Sequence, residues 1–349
     1  MLRGQDLVSR RVRAITGYTP GEQPTDPNLV KLNTNENPYP CSPLVTEAVA
    51  TDAHKLHLYP SPMADALRNR AAEVYGVKPA QILAGNGSDE LLAILLRACT
   101  EPGETVAYPV PTYSLYRTLA ELAGVKAVEV PAESGAPIPR ALGDVAARIV
   151  FLCTPNSPTG RSIPLDAIAA FARSAKGVVV VDEAYIDFGG ASALTILADH
   201  PNMVVTRTFS KSFSLAGLRL GLLFGHEDLL AELAKVKDSY NVSRIAIAAG
   251  VAALDDLEWM ESNVARIRAT RARVTAALRK AGFGVEDSCA NFLWVDCSSR
   301  GGGKAVYDKL RAGSVLARFF SSPGLESHVR VSIGTDEQMD RFLGLLGVS

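Results

Sequence analysis

The stretch VVVVDEAYIDF, residues 178–188, sets four consecutive valines before an acid. A run that is apolar at every position and β-branched reads as a strand buried on both faces, as in a parallel sheet with helices packed on each side. Asp182 then stands at the carboxyl end of that strand, at the edge where open α/β sheets bind ligands, and Tyr185 follows three residues on. Taken singly, an acid at such a place also serves to cap the next helix. Similar short runs lie on either side, at Gln81–Ala84, Thr105–Tyr108, Lys126–Val130, Ala147–Leu152, Met203–Thr208 and Leu220–Phe224, each closed by a cluster of Gly, Pro, Asn or Asp. Helical spacing appears at Ser61–Val74, through Met63, Leu67 and Val74, and at the strongly apolar Asp89–Cys99. The alternation predicts an α/β fold with a mostly parallel sheet.

After about Asp238 the texture changes. A long helical stretch, Ile245–Lys280, precedes short strands at Asn291–Asp296, Val315–Phe320 and His328–Ile333, an order that suggests a smaller α+β domain. The opening residues are crowded with turn formers (GYTPGEQPTDPN, NTNENPYP) and cannot build a core alone. The expected organisation is an N-terminal arm over 1–42 that packs with the small domain or a partner chain, a large domain over 43–240, and a small domain over 241–349.

Composition limits the function. The 349 residues carry 36 Lys+Arg against 37 Asp+Glu, a net charge of −1, which argues against a nucleic-acid binder driven by a basic surface. Hydrophobic residues make up 47%, enough for large cores, yet runs such as Leu91–Leu96 fall far short of the roughly 18 residues a membrane span needs. The N-terminus has no continuous apolar segment of the secretory kind. Five scattered cysteines without a CxxC spacing suggest a reduced, cytoplasmic setting and no metal site. His54 and His57 lack a third ligand and read as solvated or capping residues.

Three loops carry the chemistry. In RTFSKSFSLAGLRLGLLF, residues 207–224, Lys211 sits among Thr208, Ser210, Ser212 and Ser214 with Arg219 eight residues on. In AGNGSDE, residues 84–90, a strand runs through a Gly-containing turn into a helix, so backbone N–H groups near Gly87, Ser88 and Asp89 form a phosphate cradle, with the acids required to point away from the anion. In FLCTPNSPTG, residues 151–160, two prolines fix the backbone and aim the Asn156 amide. Each alone has a plain alternative: a solvated lysine, a capped helix, a rigid turn. Together they match one demand, an aldehyde cofactor held as a Schiff base. That cofactor needs an amine (Lys211), a carboxylate for its pyridine nitrogen (Asp182), donors to its phenolic oxygen (Asn156, Tyr185) and a phosphate site (Ser88, Asp89, Ser210, Arg219).

On these residues the chain resembles the fold-type-I pyridoxal-phosphate aminotransferases, and within them the histidinol-phosphate branch. The likeness runs from ITGYTPG and KLNTNENPYP through LYPSP, GNGSDE, VPTYSLY, TPNSPTG, VVDEAYIDF and TFSKSFSLAGLRLG to VLARFFSSPGLESHVRVSIGT. It implies pyridoxal 5'-phosphate bound covalently to Lys211, which also shuttles the proton. Asp182 would pair with the ring nitrogen, Asn156 and Tyr185 would bond the ring oxygen, and Tyr113 would stack on the ring. Ser88, Asp89, Thr208, Ser210 and Arg219 would hold the phosphate, with Tyr59 reaching across from the second subunit of a homodimer. Arg330, with Arg318 near it, would clamp substrate anions, and Tyr18 and Asn37 would close over the substrate from the arm. The implied reaction is transamination between histidinol phosphate or imidazole-acetol phosphate and 2-oxoglutarate or glutamate, in histidine biosynthesis. Two departures stand out: Ser157 where many members carry a second Asn, and GYTPG for PYxPG, neither expected to touch the cofactor chemistry.

The alternatives that share these motifs are an aromatic amino-acid aminotransferase and a threonine-phosphate decarboxylase. A dinucleotide-binding dehydrogenase would need a third glycine that GNGSDE lacks. Neither a phosphate-binding GxxxxGK[ST] nor the hydrolase signature GxSxG occurs.

Overall fold

The computed structural model describes residues 3–348, so residues 1–2 and 349, the outer ends of the first and last expected units, lie outside it. Seven strands make the central sheet: β1 (Ile82–Gly85), β2 (Thr105–Val110), β3 (Lys126–Pro131), β4 (Ile149–Cys153), β5 (Val178–Asp182), β6 (Met203–Thr208) and β7 (Gly221–Phe224). They lie in the order β1-β7-β6-β5-β4-β2-β3. Every pairing is parallel except those of β7, which runs antiparallel to both β1 and β6. The expected mostly parallel sheet is therefore present, with all seven sequence-read strands in it.

The valine run of β5 explains why this sheet is covered on both sides. Val179 and Val181 pack into one apolar cluster while Val180, pointing the other way, packs into a second, and all three are fully buried. Parallel pairing brings the carboxyl ends of β4, β5 and β6 to one edge, and β1, antiparallel to β7 as β6 is, ends there too. Antiparallel β7 begins at that same edge, so Gly221 stands opposite both Gly85 and Thr208, and Asp182 stands opposite Cys153. That rim is where the loops with the chemistry emerge.

A second core, built on Phe292, Val331, Leu310 and Phe342, belongs to a four-stranded antiparallel sheet near the C-terminus. The run Val315–Phe320, expected as one strand, is two. Val315–Leu316 pairs in parallel with Val30–Lys31 of the N-terminal arm, and Arg318–Phe319 pairs with His328–Ser332. The expected helix Ile245–Lys280 is also two, Arg244–Asp255 and Leu257–Lys280, because Asp256 stops the first and caps the second by accepting from the Trp259 amide at 3.3 Å. Ala246, Ala249 and Leu254 of the first helix pack into the cluster that holds Leu67 and Leu222. On this packing we propose that the large domain runs on through this first helix to Asp256, beyond the expected 240/241. Among the described residues no helix is long and apolar enough to cross a membrane.

Candidate active site

The rim of the sheet, the N-terminal arm and the C-terminal sheet enclose a cavity of about 240 Å³. At one end helix Gly87–Cys99 begins, and its first-turn amides have no partner within the helix. Gly87 has φ +77°, and a Cβ there would meet Arg219 Nη2 at 2.8 Å. A Cβ on Gly221 would come within 2.7 Å of the Gly87 carbonyl carbon and 2.8 Å of the Ser88 nitrogen. Two side-chain-free residues thus let the turn lie flat against β7, with Arg219 over it. Arg219 reaches Ser210 Oγ at 3.4 Å and Asp89 at 3.2 Å, and the Thr208 hydroxyl donates to Ser210 at 3.0 Å. Asp89 does not point away as the sequence reading required. It lines the cavity, with one oxygen accepting from Tyr113 at 3.2 Å and the other paired with Arg219.

At the centre, the Lys211 amine donates to the Thr34 carbonyl at 3.1 Å. Burial, with Arg330 adding to it, draws this amine down to about 8. Asp182 is 2% exposed and accepts from three neutral donors: the Tyr116 hydroxyl at 2.7 Å, the Thr206 hydroxyl at 3.2 Å and the Ala184 amide at 3.2 Å. Burial pushes its carboxyl upward and these donors pull it back. The Tyr185 hydroxyl accepts from Asn35 at 3.0 Å, and burial raises it to about 12. Tyr113 forms a wall, edge-on to Tyr18 and to Tyr116.

At the far end lies Arg330. Its partners are the Ser157 hydroxyl and the Asn33 carbonyl, both at 2.9 Å and both neutral, and its buried Nε has none. A half-buried cation held only by neutral acceptors is a seat for an anion. Arg318 also lines the cavity, but its guanidinium is bonded to the Thr19 and Pro20 carbonyls of the arm, 3.2 Å from each.

The cavity thus gathers Ser88, Asp89, Tyr113, Asp182, Tyr185, Thr208, Ser210, Lys211, Arg219, Tyr18, Arg318 and Arg330. Three expected residues are elsewhere. Asn156 is turned away, because its amide donates to the Pro111 carbonyl at 3.0 Å and to Thr159 at 2.9 Å while its oxygen accepts from Thr112. The neighbouring Ser157, noted in the sequence reading as a departure from the family pattern, faces the cavity instead. Asn37 donates to the Lys211 and Ser212 carbonyls at 3.2 and 3.1 Å, so it holds the lysine loop and does not line the cavity. Tyr59 is 78% exposed and stacks on Tyr240, outside the cavity of its own chain. The sequence reading also missed Asn33, Thr34 and Asn35. NTNENP did flag that segment, but only the fold shows which of its side chains turn inward.

The chain belongs to the class I and II aminotransferases, the family Aminotransferase class I and II matching residues 27–346. Two curated relatives narrow this. Histidinol-phosphate aminotransferase 1 of Trichormus variabilis is 43% identical over 330 residues, covering 94% of both chains, and its namesake from Nostoc sp. is 44% identical over 340 residues, covering 96% of both. The histidinol-phosphate branch is therefore where this chain falls. The crystal structure of histidinol-phosphate aminotransferase from Sinorhizobium meliloti in complex with pyridoxal-5'-phosphate has the same fold, with a TM-score of 0.84 and 28% identity over 90% of this chain and 89% of that one.

Proposed function

We propose that this chain transfers an amino group between histidinol phosphate and 2-oxoglutarate, with pyridoxal phosphate as cofactor and glutamate as the second amine. The observation that carries the reading is one cavity holding an amine drawn down to about 8, a buried carboxylate and a half-buried guanidinium bonded to neutral acceptors only. The residues present fit the cofactor: the amides opening helix Gly87–Cys99, with Ser210, Thr208 and Arg219, suit its phosphate, Asp182 its ring nitrogen, and Tyr113 its face. When bound, pyridoxal phosphate supplies an aldehyde for amine exchange and a ring that withdraws electrons from the substrate carbon.

This chain's residues do the rest. Lys211 Nζ, uncharged in about a tenth of molecules at pH 7, would take the proton from the substrate carbon bearing nitrogen and return it across that nitrogen, to the carbon that the cofactor's aldehyde supplies. Asp182 would hold a proton at the cofactor's ring nitrogen. Tyr185 donates its hydroxyl hydrogen into the cavity, since Asn35 already donates to its oxygen. Arg330 binds whichever anion arrives, a phosphate or a carboxylate, through two parallel hydrogen bonds. Tyr18 from the arm and Arg318 from the C-terminal sheet, tied to the arm through the Thr19 and Pro20 carbonyls, close the entrance.

Two copies of the chain complete the site. Leu56, Leu58, Tyr59 and Tyr240 are all exposed, and Tyr59 stacks on Tyr240 among them. A homodimer that covers this surface would turn Tyr59 toward the phosphate end of its partner's cavity. The enzyme would work in the cytoplasm, in keeping with five free cysteines.

The test is a coupled assay with purified protein. Histidinol phosphate should yield glutamate only when 2-oxoglutarate is present, with a kcat/KM well above that for phenylalanine or tyrosine. Preference for the aromatic amino acids, or carbon dioxide release from threonine phosphate without 2-oxoglutarate, would overturn the assignment.

A further inference from the structure

Tyr116 lies on helix Leu115–Ala123, fully buried behind the cavity wall, and sequence reading gave it no role. Its ring stacks on Phe151 of β4 at 4.7 Å and 8°, and meets Tyr113 edge-on at 5.6 Å. Those contacts leave the ring one orientation, and in it the hydroxyl donates to Asp182 Oδ2 at 2.7 Å, the shortest of the three bonds that carboxylate accepts. The other oxygen, Oδ1, takes both remaining donors. A phenol locked by packing and aimed at a carboxylate buried among neutral groups favours the charged form of that carboxylate.

We propose that Tyr116 is a positioning residue for the cofactor's ring nitrogen: its hydroxyl keeps Asp182 ionised and fixes the direction of Oδ2, while its ring braces Tyr113. This rests on the pyridoxal-phosphate reading and adds to it the residue that sets the strength of the Asp182 contact. The role is electrostatic and acts through one atom of the ligand, so it separates from any general effect on folding.

The test compares pyridoxal phosphate with its 1-deaza analogue, in which carbon replaces the ring nitrogen, by titrating the apo full-length chain. Wild type should prefer pyridoxal phosphate. Tyr116→Phe keeps both ring contacts and loses only the hydroxyl. Removing a hydrogen bond to a charged group is expected to weaken pyridoxal phosphate by about tenfold or more, and to leave the analogue's affinity unchanged, so the preference shrinks by that factor. Equal weakening of both ligands would mean a structural role only, and no weakening of either would mean no role; both overturn the inference. Tyr116→His, which retains a ring donor, provides the same ratio should the Phe variant fold poorly, and there the preference should stay nearer to wild type. If wild type itself binds neither ligand at Lys211, it is the cofactor reading that fails; if wild type shows the preference and Tyr116→Phe keeps it, only this inference does.

Discussion

The Lys211 amine is held in a cavity that disfavours its charge. A lysine whose folded pKa lies near 8, against 10.5 in the free side chain, gives up its proton earlier in the folded chain than in the unfolded one. Between those values the unfolded chain binds more protons, so stability rises with pH across that window, and the penalty for the buried charge is felt in full below about 8. The same shift sets reactivity: the rate at which apo protein captures pyridoxal phosphate should rise about tenfold per pH unit below about pH 8 and level off above it, followed by stopped-flow absorbance. A profile that keeps rising to pH 10 would show an ordinary lysine. Arg330→Ala should raise KM for both glutamate and histidinol phosphate, with kcat/KM falling about a hundredfold for each. It should also move the capture profile to higher pH, because Arg330 contributes to lowering the amine. An effect on neither substrate would place the anion seat elsewhere. At this scale the sequence was informative where chemistry and chain direction agree. Asp182 ends an unmistakable buried strand and Lys211 sits in a hydroxyl-rich loop between two strands. It was uninformative between adjacent residues: Asn156 and Ser157 share one turn, and which of them faces the cavity depends on Asn156 finding Pro111 and Thr159 as acceptors.

The proposed phosphate end depends on how closely β7 and the Gly87 turn approach, with no room for a Cβ between them. Gly221→Ala would push a methyl against the Gly87 and Ser88 backbone, which cannot swing aside as a side chain can. The expected cost is about 1–3 kcal/mol in denaturant unfolding, the usual penalty of overpacking. Affinity for pyridoxal phosphate should fall with it, while that for unphosphorylated pyridoxal should fall less. Equal losses for the two would show that the turn does not hold the phosphate. Strands of the central sheet were legible because an uninterrupted apolar run has one structural solution when both faces are covered. The two-residue strands at 315–319 were not, since Ala317 lies between segments that pair with different sheets, and sequence carries no mark of a change of partner. The helix break at Asp256 hid for a related reason: the residues on both sides keep a helical pattern, and only the cap shows the stop.

In the whole molecule the arm, the C-terminal sheet and the large sheet each supply one wall, so the site exists only when all three are assembled. Val30–Lys31 ties the arm to the C-terminal part, and the Lys211 amine reaches across to the Thr34 carbonyl. In the proposed homodimer the exposed Leu56, Leu58 and Tyr59 would extend this logic to a second chain. Leu58→Asp should shift the mass in solution from two chains to one and lower cofactor affinity, checked by light scattering. Mixing Tyr59→Phe with Lys211→Ala gives a sharper check. A mixed dimer holds one site with native Lys211 and a native Tyr59 from its partner, so its activity should exceed the average of the two parent proteins, and equality with that average would place Tyr59 outside the shared site.

The central claim is a covalent link at one nitrogen, and borohydride reduction followed by peptide mass mapping reads it directly. The account predicts a pyridoxyl phosphate adduct on the peptide containing Lys211 and its loss in Lys211→Ala. An adduct on another lysine, or none after incubation with pyridoxal phosphate, would contradict it.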